Sequence, residues 1–169
     1  MTINISMKWA ALFLISNFIF CNKEQGDAND VVDVALSYIP EQETIIDKGQ
    51  GRNLLEQPTR ITPKDVTGFF NPTPKDIALL HKYFKDIHSL ETTSTCKIRS
   101  LKYYLFQYIG VIIKGKKFIY INAARKDGPI IKRLNWKDVP IWVSDGGNDF
   151  FGILFDLKFK KFTQLVTNC

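Results

Sequence analysis

The sequence predicts an α+β fold, an N-terminal amphipathic helix packed on an antiparallel meander of four to five strands. Three observations carry that expectation. Ile77, Leu80, Phe84 and Ile87 recur at i, i+3, i+7 and i+10, the spacing of one helical face, and Leu79 and Tyr83 widen it. From Leu101 onward the period shortens towards two, in runs rich in β-branched and aromatic residues separated by Gly- and Lys-bearing turns. About 110 residues then suffice to bury one core without a metal or cofactor, and no cofactor is implied.

Composition narrows the class further. The chain has 169 residues, 45% of them apolar and 13% aromatic, with a formal charge of +6. A disordered chain is poorer in aromatic residues. A polytopic membrane protein needs several long apolar runs, and only one is present. Neither Gly-X-Y triplets nor sustained heptads occur.

The elements follow in order. Met1 to Cys21 carries one cation, Lys8, then the apolar run Trp9 to Phe20, interrupted only by Ser16 and Asn17. Its length suits the apolar region of a secretory signal and is short for a bilayer span. A cysteine directly after such a run resembles a bacterial lipoprotein signal, in which Cys21 receives a diacylglyceryl group and becomes the mature N-terminus. The residue before it is Phe20, where that signal usually has a small one. An uncleaved anchor and a plain signal peptide are the alternatives. The resemblance implies the bacterial cell envelope, with a lipid anchor holding the protein on a membrane.

Charge then divides the chain. Residues 22–47 hold seven acids and only Lys23, a net of −6, whereas residues 48–169 hold 21 basic and 10 acidic residues, a net of +11. Residues 22–56 read as an acidic, solvated tether and residues 57–169 as the basic domain. Within the tether, Val31 to Ile39 is apolar enough to dock on the domain as a short strand or helix.

The tetrapeptide Thr-Pro-Lys-Asp occurs at residues 62–65 and again at 73–76. Each copy has the makings of a helix start: Thr as N-cap, Pro at N1 and Asp at N3 beside the positive end of the helix dipole. Gly68 and Asn71-Pro72 keep the first short, while the second opens a helix from Pro74 to about His88. Tyr103 to Ile113 and Lys117 to Ala123, joined by Lys114-Gly115-Lys116, form a hairpin. Val139 to Ser144, Asp149 to Asp156 and Lys161 to Thr167 supply three further strands, the last two joined by a turn at residues 157–160.

Three cysteines are present. With Cys21 lipidated, export allows Cys96 and Cys169 to pair, and the sequence leaves bridged and free thiols equally open.

Trp136-Lys137, Asp145-Gly146-Gly147, Phe150-Phe151, Phe155-Asp156, Phe162, Leu165 and Asn168, with the hairpin segments Gln107 to Gly110 and Ile119 to Asn122, carry a second resemblance. They are similar to small, uncharacterised Bacteroidota-type lipoproteins, over roughly residues 75 to 169. Asn22-Lys23-Glu24 fits the Lys/acid sequence that often follows the lipidated cysteine there. That family has no established activity, so the resemblance implies a fold and a location only.

Chemistry-bearing motifs are few. Asp145-Gly146-Gly147-Asn148-Asp149 gathers oxygens suited to Ca²⁺ but departs from the EF-hand spacing, and reads as a turn. His81 and His88 are seven apart, not the i, i+4 of a helical metal pair. No nucleophile elbow or phosphate-binding Gly loop occurs, so catalytic, metal and cofactor-binding residues are expected to be none. Lysines cluster instead at two turns, Lys114, Lys116, Lys117 and Lys158, Lys160, Lys161, with Phe118, Phe159 and Phe162 among them. Turns one and three of a meander can share an end of the sheet, which would make one anion-binding patch; solvation of the turns and protection of edge strands is the plainer reading.

The expected function is a non-enzymatic binding or interaction module of an envelope lipoprotein, its partner an envelope protein. A structural component binding acidic glycan or lipid through the lysine-rich turns is the first alternative, and a hydrolase the second. Nucleic acid is not expected as a partner, on grounds of location.

Overall fold

Six strands and two α-helices form one mixed sheet with helical cover in a computed structural model that describes residues 40–58, 60–91, 96–129 and 131–169. The strands are β1 (Glu43–Ile45), β2 (Val66–Phe70), β3 (Tyr104–Ile113), β4 (Lys116–Arg125), β5 (Gly147–Asp156) and β6 (Lys161–Asn168). The helices are α1 (Gly51–Leu55) and α2 (Pro74–His81). Cys21 and the expected docking segment, Val31 to Ile39, lie outside the described residues.

The sheet runs β1-β3-β4-β5-β6, and β2 also pairs with β3. β3 to β6 are the antiparallel meander of the sequence. β1 is parallel to β3, Glu43 to Ile45 lying beside Phe106 to Tyr108, so the sheet is mixed and not purely antiparallel. Residues 43–55, expected in the tether, thus belong to the fold, and the boundary expected at residue 57 falls inside it. α1 buries Leu54 completely, which is why this stretch stays on the domain.

β2 occupies the place of the first expected helix start. Asp65 has φ 59, a left-handed conformation that the third residue of a helix cannot take, and the chain leaves it extended. β2 then lies against β3 at Gly110, where a Cβ would come within 2.5 Å of the Phe70 carbonyl oxygen and ring. Only glycine permits that approach. The second copy does cap a helix. Thr73 accepts from the Asp76 amide and Asp76 accepts from the Thr73 amide, a capping box with Pro74 at N1.

α2 ends at His81, earlier than the helix to His88 that the spacing predicts, and Phe84–Ser89 continues as a 3-10 helix. Tertiary packing outweighs helical periodicity here. Phe84 lies edge-on to Phe106 at 5.1 Å and to Phe162 at 6.2 Å between centroids, and Ile87 is fully buried.

Strand alternation sorts the core into two faces. Tyr104, Phe106, Tyr108, Ile119, Ile121, Ala123, Phe151, Ile153 and Phe155 meet Ile77, Leu80 and Ile87 on the helical face. The opposite face carries Leu105, Ile109, Val111, Tyr120 and Leu154, covered by α1 and by residues 131–143.

Val139 to Ser144, expected as a strand, pairs with none. Its backbone is held by side-chain amides instead. Gln107 Nε2 donates to the carbonyls of Trp136 and Val139, both at 2.7 Å, and Gln107 Oε1 accepts from the Ile141 amide at 2.8 Å. Asn122 and Gln57 both donate to the Ile141 carbonyl, and Asn168 donates to that of Val143. With these groups satisfied, the segment lies across the sheet as a strap and needs no strand partner.

Candidate anion-binding end of the sheet

Two turns define the site. Lys114 and Gly115 have φ of 49° and 73°, the paired positive angles of a two-residue type I′ hairpin loop, and this sets Ile113 opposite Lys116. The second turn, residues 157–160, is tied by Asp156. Its Oδ1 accepts from the amides of Lys158 and Phe159, its carbonyl accepts from the Lys160 amide, and Lys160 turns the chain with φ 55.

Register brings the turns together. Lys117 pairs with Ile112, the next residue Phe118 pairs with Asp156, and Asp156 pairs with Lys161. Lys114, Lys116, Lys117, Lys158, Lys160 and Lys161 therefore stand at one end of the sheet, all exposed. β2 begins there too, since Val66 pairs with Ile113, so it adds Lys64 and Asp65 to the cluster. No local sequence signal announced Lys64, whose place depends on the long-range pairing of β2.

Seven cations thus meet two carboxylates, and one of these, Asp156, is buried in its turn. Asp65 lies 3.5 Å from Lys114 Nζ, an exposed pair of little energetic weight. Among the described residues, Lys116, Lys117, Lys158, Lys160 and Lys161 have no carboxylate partner. The opposite end of the sheet is built differently. There Arg125 is gripped by Asp127 at 2.6 Å and reaches Asp149 at 3.4 Å, and Arg99 adds a 3.5 Å contact to Asp149. Arg125 is held still more firmly protonated by these acids, and the Asp127 carboxyl is held below its usual range by Arg125.

Aromatic side chains divide between patch and core. Phe159 is 59% exposed at the tip of its turn, with Lys158 Nζ 5.5 Å and Lys161 Nζ 5.9 Å from its ring centroid. Lys117 Nζ lies 5.0 Å from the ring of Phe70. Phe162, expected among the lysines, is instead buried against Phe155 in the core.

The other residues of interest have structural surroundings. Cys96 and Cys169 form a disulfide with Cα atoms 6.0 Å apart, tying the end of β6 to the segment before β3. Asp145 accepts from the Gly146 amide, and Asn148 donates to the Lys97 carbonyl. His81 Nε2 and Tyr108 Oη both lie 2.8 Å from Glu43 Oε2, a cluster that clips β1 to α2 and β3. His88 stands apart, its imidazole pushed below the usual 6.5 by burial.

Across the sheet, Arg60 is 3% exposed and bonds through Nη2 to Asn122 Oδ1. Burial pushes the Tyr120 phenol up, with the adjacent Arg60 charge and a hydrogen bond with its guanidinium pulling the other way. Both side chains are buried and packed against Gly152.

No protein-family model, curated protein or solved structure matches this chain.

Proposed function

We propose that the protein is an envelope lipoprotein, anchored on a bacterial membrane through Cys21, whose α+β domain is a non-enzymatic binding module. The lysine end of the sheet is its contact surface, and the partner is acidic. One observation carries this reading: the β4–β5 register sets two lysine-bearing turns side by side, with five of their six cations lacking a carboxylate partner among the described residues. Solvating lysines need no such convergence, and the paired arginines at the other end show how this fold neutralises charge where it is structural. The engagement of Asp149 by Arg99 and Arg125 supports a structural role for the segment a hydrolase would use.

The test is retention of the full chain on an anionic matrix across a salt gradient. The wild type is expected to elute late and the Lys158→Ser/Lys160→Asn/Lys161→Ser variant markedly earlier, because exposed charge contacts are screened by salt. Asn at position 160 keeps a residue that tolerates positive φ. Equal elution of the two proteins overturns the reading.

A further inference from the structure

We infer that the acidic partner is the anionic surface of a lipid bilayer, and that Phe159 inserts beneath its head groups while the surrounding lysines pair with them. This rests on the lysine-end reading above and names its partner.

The argument begins with how the charge is arranged. The cations sit on hairpin turns, the outermost points of one end of the sheet, so the end can meet a surface broadside. Lys114, Lys116 and Lys117 lie on one turn and the first residues of β4, and Lys158, Lys160 and Lys161 on the other turn and the first residue of β6. Each lysine near an anionic membrane surface strengthens attachment several-fold at ordinary salt, and several acting together give useful binding.

Phe159 decides between kinds of acidic partner. A large apolar side chain, 59% exposed at a projecting turn, is unfavourable in water unless something covers it. Its neighbours are cationic on both sides, with Lys158 and Lys161 reaching over the ring. An apolar tip flanked by cations matches the layering of a bilayer interface, where phosphates lie outside and hydrocarbon begins beneath them. An acidic glycan supplies the charge but has no hydrocarbon layer for the ring. Long lysine side chains extend to the head groups while an apolar neighbour goes deeper. A chain tethered near a membrane also meets that surface at high effective concentration, so modest contacts suffice.

The experiment is hydrogen exchange on the full chain mixed with vesicles of phosphatidylcholine alone or with a third of phosphatidylglycerol. Amides of residues 114–118 and 157–161 are expected to be protected with the anionic vesicles and not with the zwitterionic ones. Raising the salt tenfold should release that protection. Lys158→Ser/Lys160→Asn/Lys161→Ser should weaken the contact roughly a hundredfold. Phe159→Ser, which leaves every charge in place, should weaken it about tenfold. Unchanged exchange of an amide in the β3–β4 ladder shows that each variant is folded. Protection by a soluble acidic polysaccharide without protection by anionic vesicles overturns the bilayer inference and leaves the lysine-end reading standing. Equal protection by both vesicle types, or an unaffected Phe159→Ser variant, also overturns it. No protection by either polyanion overturns both.

Discussion

Gln107 on β3 and Asn122 on β4 are register partners, and Asn122 Nδ2 donates to Gln107 Oε1 at 3.0 Å inside the sheet. Together they use every amide donor they own. Gln107 spends both on the carbonyls of Trp136 and Val139, and Asn122 spends its second on Ile141. Replacing Gln107 by Leu preserves volume but orphans two carbonyls, the Ile141 amide and one Asn122 amide donor. Each buried group left unpaired costs about 1–3 kcal/mol. Equilibrium urea unfolding should therefore show a loss of at least ~3 kcal/mol, with faster amide exchange across residues 139–143. A loss under ~1 kcal/mol would mean that the strap is held by its apolar contacts instead.

The disulfide gives a second, independent number. Cys96 and Cys169 close a loop with a sequence separation of 73, and loop-closure entropy for that length corresponds to about 4 kcal/mol. Cys169→Ser should lower unfolding free energy by roughly that amount, and reduction of the wild type should match it. A reduced protein as stable as the oxidised one would show that the last strand is fixed without the bond.

Two copies of one tetrapeptide provide an internal control. Thr73 closes a capping box, so Thr73→Ala should cost about 1 kcal/mol. Thr62 precedes β2 and caps nothing, so Thr62→Ala should stay within about 0.5 kcal/mol. Equal losses by thermal melting would contradict the assignment of strand to the first copy.

That pair also marks what local sequence can express. The β3–β4 hairpin was legible because a type I′ loop and flanking alternation lie within a few residues of each other. β2 was not, since its opening residues spell a helix cap and only pairing with β3, some forty residues on, makes it a strand. The strap looked like a strand because Val139, Ile141, Trp142 and Val143 make a short run of β-branched and aromatic residues. Its partners are the amides of Gln57, Gln107, Asn122 and Asn168, whose convergence is a property of the folded sheet. The lysine turns were visible one by one, and their convergence awaited the register. Lys64 joined them only through β2.

Acid should weaken the fold through His88. Burial holds its folded pKa below the usual 6.5, so near pH 6 the unfolded chain takes up the proton first. Stability from the neutral ring is complete above 6.5, falls as pH drops through that value, and levels off below the folded pKa. The melting temperature of the wild type should decline between pH 7.5 and 5.5, and His88→Leu should decline less. Parallel declines in the two proteins would assign the effect to other groups.

Gly152 and Tyr120 make the last test, because a substitution at either one acts on the same phenol oxygen. A Cβ on Gly152 would lie 2.3 Å from Tyr120 Oη, 3.0 Å from Tyr120 Cζ and 3.1 Å from Arg60 Nε. Gly152→Ala therefore forces the phenol and the guanidinium off the sheet, an overpacking cost of about 1–3 kcal/mol. Tyr120→Phe removes only the buried hydroxyl, and with it the interaction with Arg60, and should cost about 1 kcal/mol. It also removes the nearest of the three clashing atoms. The double variant should thus be more stable than the sum of the single changes predicts, a coupling read by urea unfolding of all four proteins. Strict additivity would place the Gly152 constraint on Arg60 alone.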